Sequence, residues 1–545
     1  MKKAWRIFLI MFIALLGFAL TSPGGRYFEI AKNLDIFANI YREVNEYYVD
    51  EINPTQLMNH GINAMLQDLD PYTNYISEDM IEDFRTANTG QYAGIGASTI
   101  TLDGRIFVTM VYEGFSAYKN GLRIGDEILA IDGVPVKGLS EERIEQLMKG
   151  QLKSRVGLRI KRPENPEPLE LVFEREKIKI PNVPYSNMLT DEVGYIKFTE
   201  FTPDGYKNVR KALMALMRQG ADAIVLDLRD NLGGLLTEAV DITNLFIPEG
   251  ELVVETRGKL ANNNYTYKTR NSPLAPDLKL TVLVNHMSAS ASEIVAGTLQ
   301  DYDRAVIIGN KTYGKGLVQN ARDLPYNGKV KITIARYYTP SGRCIQAIDY
   351  SHKQNGRPVQ LPDSLKKAFY TRNGRVVYDG GGIDPEIVIE DKLTGGIVKK
   401  LYEDGYLYMF ARQYASRHET IPPPESFNLQ DDDYAAFVEW VIDTGFTYRN
   451  PLLKDFEQLQ QHLPDSTTAT LAARLKKSLQ VDLHEELNHY RPDLQRLLEK
   501  EIAAFYYLWP GEVAAGLADD PYVQAALEVL QDPERYYRLL AANRP

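Results

Sequence analysis

Cysteine is nearly absent from this 545-residue chain: Cys344 stands alone, which excludes an internal disulfide and any multi-cysteine metal site. Cysteine usage therefore carries no information on redox compartment. Histidine is sparse, with 7 in all. Positive charge is in deficit: 62 Lys and Arg against 73 Asp and Glu leave a net charge of −11, which argues against nucleic acid as a partner. Internal repeats and low-complexity tracts are missing. One apolar run stands near the N-terminus, the 14 residues from Ile7 to Leu20, preceded by Lys2, Lys3 and Arg6. That is signal-peptide length, short of the roughly 20 residues of a spanning helix. Ala19 at the −3 position gives a weak cleavage site after Thr21, and no lipobox cysteine is present. With Ala4 and Trp5 counted, an uncleaved anchor also fits. Residues 1–22 thus predict export, with cleaved and anchored forms both open.

What is present is an ordinary globular composition, 44% apolar and 25% charged, over a length that suits three or four domains. Residues 28–90 carry helical periodicity, with Ile36, Phe37, Ile40 and Val44 on one stripe, as far as the turn LDPYTNYI, Leu69 to Ile76. From 91 to 175 the texture changes to short β-type runs punctuated by glycine and Asp-Gly turns, among them Tyr92-Ala93-Gly94-Ile95-Gly96. Within this stretch SEERIEQLMKG reads as an amphipathic helix. Ser140 is its N-cap, Glu141 and Glu142 suit its dipole, and Ile144, Leu147 and Met148 share a face. Residues 177–391 alternate strands and helices, which predicts an α/β core with crossover connections. Beyond about residue 392 the chain is rich in Leu, Tyr and charge, with helical stripes such as Leu494, Leu497, Leu498, Ile502 and Phe505. No chemistry is legible there. The expectation is a helical appendage, with homo-oligomerisation or adaptor binding as the alternative.

The most reactive-looking stretch is residues 285–319, NHMSASASEIVAGTLQDYDRAVIIGNKTYGKGLVQ. A buried-strand pattern, KLTVLVN, leads into Ser288-Ala289-Ser290-Ala291-Ser292, and EIVAGTL continues as a helix. A serine at a strand-to-helix turn is well placed as a nucleophile, because free N–H groups at the helix start stabilise nearby negative charge. Its hydroxyl needs a base. Chain order does not exclude His286, the one histidine near the serines, from a triad. Lys315, between Gly314 and Gly316, follows Ser290 by 25 residues, and Gln319 follows by 4 more. This block resembles the Ser-Lys-Gln centre of the C-terminal processing peptidases (tail-specific proteases). DLRDNLGG, Asp227 to Gly234, resembles their Asp-Leu-Arg-x-Asn-x-Gly-Gly turn.

The resemblance spans roughly residues 28–391 and implies a multidomain α/β protein. Its parts are a crotonase-like serine peptidase core (177–391), an inserted PDZ domain (91–175), N-terminal helices (28–90) and a C-terminal helical extension (392–545). It implies an exported serine endopeptidase with Ser290 as nucleophile, Lys315 as base and Gln319 orienting the amine; a catalytically inactive PDZ scaffold is the alternative. A free lysine would be neutral in about one molecule in a few thousand at pH 7, so such a base needs an apolar, cation-free pocket. Val306, Ile307, Ile308 and Leu317 are its apolar neighbours in sequence. Four residues of straight strand span about 13 Å, so Gly314 and Gly316 must allow a turn if Lys315 and Gln319 are to meet.

The resemblance also implies an oxyanion hole from the Ala291 amide with that of Gly233 or Gly234. Leu232 and Met287 stand where the family often has proline and glycine, which bears on loop shape. In the PDZ domain, Tyr92, Ala93, Gly94, Ile95 and Gly96 would form the carboxylate loop. Ile144, Leu147 and Met148 would form the pocket for an apolar last residue, so the expected partners are peptides with free apolar C-termini. No cofactor and no metal are expected. Gly309-x-x-x-x-Gly314-Lys315 copies most of a P-loop, but Gly316 replaces the Ser or Thr that would bind Mg²⁺. His484 and His489 are five apart and leave one helical face. The expected address is the bacterial periplasm or the periplasmic side of the inner membrane.

Overall fold

The computed structural model describes residues 23–541, apart from 166, 355, 356, 361, 391–395 and most of 449–481. Residues 1–22, read from the sequence as a signal peptide or anchor, lie outside the described residues. Among those described, no helix is long and apolar enough to cross a membrane. The chain divides into two compact units, residues 1–75 and 76–545.

In the first unit, helix α1 spans Pro23–Tyr47 and α2 spans Pro54–Gln67. Asn53 caps α2 by accepting from the Gln56 N–H at 3.1 Å, and Pro54 sits at the first turn, where no intrahelical N–H is needed. The Leu-Asp-Pro turn is closed by Asp70, whose Oδ1 accepts the N–H groups of Tyr72 and Thr73 at 2.9 and 2.8 Å. The stripe read from the sequence is helical, but Ile36, Phe37 and Ile40 are exposed.

The second unit opens with α3 (Ile81–Thr89) and enters a β-rich module. Its strands are β1 (Gln91–Gly94), β2 (Ala97–Leu102), β3 (Arg105–Val111) and β4 (Glu127–Ile131). After α4 (Glu141–Met148) come β5 (Arg155–Lys161), β6 (Leu169–Glu174) and β7 (Glu176–Lys179). Strands β2 to β6 form one antiparallel sheet in sequence order, while β1 pairs with β7. The module therefore closes at Lys179, past the boundary of 175, because the backbone of β1 needs β7 as its partner. Ser140 caps α4, and Ile144 and Met148 are buried on its inner face.

The core follows as β8 (Tyr185–Met188), β9 (Val193–Lys197), α5 (Gly205–Arg218), β10 (Ala223–Asp227) and α6 (Leu236–Thr243). Next are β11 (Leu252–Gly258), β12 (Lys279–Val284), α7 (Ala291–Asp301) and β13 (Val306–Gly309). It ends with β14 (Leu317–Asp323), β15 (Lys329–Tyr338) and β16 (Ile387–Val388). Six strands form one sheet in the order β8-β9-β10-β12-β13-β16, parallel from β9 onward. A second, antiparallel sheet pairs β14 with β15 and β15 with β11. The parallel strands are apolar on both faces, as burial on two sides requires.

Ile196, Ile224, Leu226, Val282 and Ile307 pack toward α5, α6 and α7. Val193, Tyr195, Val225, Leu283, Val306 and Ile308 pack against the end of the chain. That end comprises α8 (Gly396–Glu403), α9 (Tyr406–Arg417), α10 (Asp431–Asp443), α11 (Arg491–Ala515), α12 (Pro521–Gln531) and α13 (Pro533–Leu540). Helices α8 to α11 share a core in which Leu494, Leu498 and Ile502 are fully buried. Val523, Ala526, Val529 and Leu530 of α12 and Tyr536 of α13 instead cover the second face of the parallel sheet. The expected C-terminal helical region is present, and its last two helices additionally form a third layer of the core.

Candidate active site

In a parallel sheet the loops leaving the C-terminal strand ends gather at one edge, where such folds place their ligands. Here the turns after β10, β12 and β13 meet there, bringing 228–234, 285–290 and 310–316 together.

The three serines of the middle turn differ in what holds them. Ser288 and Ser292 are fully buried; their hydroxyls donate to the carbonyls of Leu228 and Asn231, each at 2.8 Å. Both pin the β12 turn to the β10 turn. Ser290 is half-buried and adopts φ 56°, ψ −109° immediately before α7. Its N–H donates to Glu293 Oε2 at 2.7 Å, and its carbonyl accepts from the Tyr337 hydroxyl at 3.1 Å. His286 is exposed on the same turn.

Gly233 lies against this serine. A Cβ there would fall 2.9 Å from Ser290 Cβ, 2.9 Å from the Ala291 nitrogen and 2.7 Å from the Ala289 carbonyl oxygen. With φ at +99° as well, only glycine fits. The Gly233 N–H donates to Asn231 Oδ1 at 2.9 Å, and the Gly233 carbonyl accepts from the Phe201 N–H at 3.0 Å. Leu232 and Met287 are exposed on the rim, so their departures from the family pattern put side chains into solvent.

Lys315 is half-buried at the end of the β13 loop. Gly314 has φ +84°, and the Gly316 N–H donates to Gln346 Oε1 at 2.8 Å. The loop therefore turns before β14 begins, as the short spacing to Gln319 requires. Gln319 sits at a β-bulge and donates from Nε2 to Thr333 Oγ1 at 3.1 Å. Val306, Ile307 and Ile308, the sequence neighbours expected around the lysine, are committed to the two faces of the sheet core. The P-loop reading fails because a strand, not a helix, follows the lysine.

Glu293 joins these pieces and was not singled out in the sequence. Fully buried on the first turn of α7, it accepts from Ser290 N–H, Thr312 Oγ1 (2.6 Å), Gly314 N–H (2.7 Å) and Lys315 N–H (2.9 Å). One carboxylate thus ties the serine turn to the lysine loop. Burial pushes this carboxyl upward, and the four donors pull it back. Ser290-x-x-Glu293 has the spacing of a helix capping box, the signal that points to it.

A second buried charge cluster underlies the β10 turn. Asp227 accepts from Arg229 Nη2 at 2.6 Å and from the Tyr195 hydroxyl at 2.6 Å, with Lys197 Nζ at 3.3 Å. Burial opposes ionisation of Asp227, but Arg229 and Lys197 outweigh it and hold the carboxyl well below the usual range.

The β-rich module carries a separate groove of about 340 Å³ beside strand β2 and helix α4, lined by Ser98, Thr99, Tyr112, Ile144 and Met148. Leu147 packs against the same core as Ile144 and Met148 but does not line the groove. Of the proposed carboxylate loop, Tyr92, Ala93 and Gly94 belong to β1, which leaves Ile95 and Gly96 as the connection to β2. Their carbonyls face inward, accepting from Ala117 and Tyr112 N–H at 2.8 and 2.9 Å.

Residues 192–351 match the model of peptidase family S41, residues 85–161 the PDZ domain model, and residues 397–530 a model described as the C-terminal helical domain of a probable PDZ-protease. A carboxy-terminal-processing protease of Bartonella bacilliformis is 35% identical over 321 residues, 58% of this chain and 73% of the relative. A probable CtpA-like serine protease of Staphylococcus aureus is 34% identical over 338 residues, 61% of this chain and 66% of the relative. Among solved structures, a photosystem II D1 C-terminal processing protease is 25% identical, covering 66% of this chain and 93% of its own at a TM-score of 0.36. The chain belongs to the carboxy-terminal-processing proteases of peptidase family S41, serine peptidases, and carries a PDZ domain and a C-terminal helical domain around its α/β core.

Proposed function

We propose that this protein is an exported endopeptidase that cuts proteins near their C-termini, with Ser290 as nucleophile, Lys315 as general base and Gln319 orienting the lysine amine. The observation that carries the reading is the difference among the serines: Ser288 and Ser292 are buried staples, whereas Ser290 is held at a strained turn tied through Glu293 to the lysine loop. Neutral Lys315 takes the hydroxyl proton as Ser290 Oγ attacks the scissile carbonyl. The tetrahedral oxyanion is received by the backbone N–H groups of Ala291 and Gly234, since the Gly233 N–H is already given to Asn231. Collapse expels the amine, which takes the proton back from Lys315. Water then repeats the sequence on the acyl-enzyme.

The groove between β2 and α4 takes the substrate tail as an added strand. Ile95 and Gly96 receive the free carboxylate, and Ile144 and Met148 the apolar last side chain. Export rests on Lys2, Lys3, Arg6 and the apolar run after them, and puts the enzyme in the periplasm or on the periplasmic side of the inner membrane.

The test is one substrate prepared with a free and with an amidated C-terminus, beside a fluorophosphonate probe. The proposal expects stoichiometric labelling that Ser290→Ala abolishes, and faster cutting of the free-tailed form. Equal cutting of the two forms would remove tail recognition, and labelling that survives Ser290→Ala would remove the nucleophile.

A further inference from the structure

Two side chains at the start of α12 reach the loops of the candidate site from the far end of the chain. Asp520 divides its carboxylate: Oδ1 accepts from the N–H groups of Tyr522 and Val523 at 2.9 and 3.4 Å, capping α12. Oδ2 accepts from Arg229 Nη1 at 2.7 Å. Arg229 lies on the turn that carries Asn231, Gly233 and Gly234, and its other nitrogens bind Asp227. The ring of Tyr522 lies 4.8 Å from the same guanidinium, within cation–π range. Its hydroxyl donates to Asn310 Oδ1 at 2.6 Å, at the start of the loop that carries Thr312, Gly314 and Lys315. A Cβ on Gly309 would fall 1.9 Å from the Val284 carbonyl oxygen and 2.9 Å from Tyr522 Cε1, so this position sits against both the strand and the ring.

The helix behind these contacts is fixed to the sheet. Val523, Ala526, Val529 and Leu530 pack on the strands. Lys279 Nζ donates to the Leu530 carbonyl at 3.0 Å, and the Leu280 N–H donates to the Tyr536 hydroxyl at 3.0 Å. Most of the anchoring to the sheet is made by residues other than these two; the Tyr522 ring also packs on that core, while its hydroxyl and the Asp520 carboxylate reach the loops.

We infer that Asp520 and Tyr522 are positioning residues of the peptidase, bracing the oxyanion turn and the lysine loop in register so that the C-terminal helical region is part of the catalytic apparatus. This rests on the assignment of Ser290, Lys315 and the glycine turn made above. Neither residue touches the reacting atoms. Each acts through a loop: Asp520 through Arg229, and Tyr522 through Asn310.

Full-length Asp520→Asn, Tyr522→Phe, Asn310→Ala and the Tyr522→Phe/Asn310→Ala pair test this. Asparagine caps a helix as well as aspartate does, so Asp520→Asn removes the ion pair and spares the cap. Tyr522→Phe deletes one hydroxyl and keeps the ring. The expectation is a kcat lower by about tenfold in each single variant, KM within about twofold, and slower fluorophosphonate labelling, with the folded fraction unchanged. The double variant should match either single one, because both changes break the same bond. The inference is overturned if kcat and labelling stay within about twofold of wild type. It is equally overturned if activity falls only in proportion to folded protein. Ser290→Ala and Lys315→Ala serve as the separating control: their retained activity would sink the site assignment itself, whereas normal brace variants beside inactive Ser290→Ala would sink the brace alone.

Discussion

Ser290 holds φ 56° and ψ −109°, a conformation whose cost of order 1–3 kcal/mol must be met by its surroundings. Three groups hold it: the Glu293 carboxylate on its N–H, the Tyr337 hydroxyl on its carbonyl, and Gly233 packed against its Cβ. Gly233→Ala should therefore lower kcat by about 10²-fold or more while the protein still folds, read as turnover beside circular dichroism. Glu293→Gln keeps the shape but turns an amide NH₂ toward N–H donors. We expect activity to fall by about 10²-fold with little change in KM, measured by steady-state kinetics. Ser290 was legible because a buried-strand pattern and a helix pattern bracket it. The capping-box spacing points to the Ser290–Glu293 bond, but the bonds from Glu293 to Gly314 and Lys315, and that of Tyr337 to a residue 47 positions away, were not legible because no local pattern marks them.

Among the elements, α11 is the least regular. Leu508 interrupts it at φ 56°, ψ −153°, and Pro510 follows within the same helix. Glu501 lies before the break and Glu512 after it. Burial, then repulsion from Glu512, pushes the Glu501 carboxyl up to about 7, with Lys500 pulling the other way. A raised carboxyl stabilises the fold only while protonated, so its contribution is complete below the unfolded value near 4.5 and is lost as pH rises to about 7. Glu501→Gln should then stabilise the protein at pH 8 by at most about 3 kcal/mol and leave it nearly unchanged at pH 4. Thermal melts at the two pH values check this; an equal gain at both would contradict it. Helix stripes gave the existence of α11, since Leu494, Leu498 and Ile502 recur at helical spacing. They did not give the role of α12, whose apolar face meets strands more than 200 residues earlier, a partner no local period reveals.

At the scale of the molecule, the PDZ domain is docked on the C-terminal helices. The Tyr408 hydroxyl donates to the Val108 carbonyl at 2.9 Å, and Arg412 Nε to the Gly125 carbonyl at 2.6 Å. Tyr408 and Ala504 are buried within the PDZ core itself. The domain is packed on the helical region that also contacts the Arg229 turn through Asp520. Deleting residues 91–179 should raise KM and also lower kcat, whereas a change in KM alone would mean that the domain only delivers substrate. Domain order was legible from changes of texture along the chain. The docking was not, because Tyr408 and Arg412 read as ordinary helix residues until their partners near Val108 and Gly125 are in place.

In the proposed mechanism a lysine, without histidine, activates Ser290. The most direct measurement is single-turnover cleavage by purified full-length Lys315→Ala beside wild type, across pH and at matched folded fraction. Wild-type activity should rise with pH through the apparent pKa of the base, because only the neutral amine accepts the serine proton, and Lys315→Ala should cleave nothing above the Ser290→Ala background. Wild-type turnover by Lys315→Ala at neutral pH would contradict it.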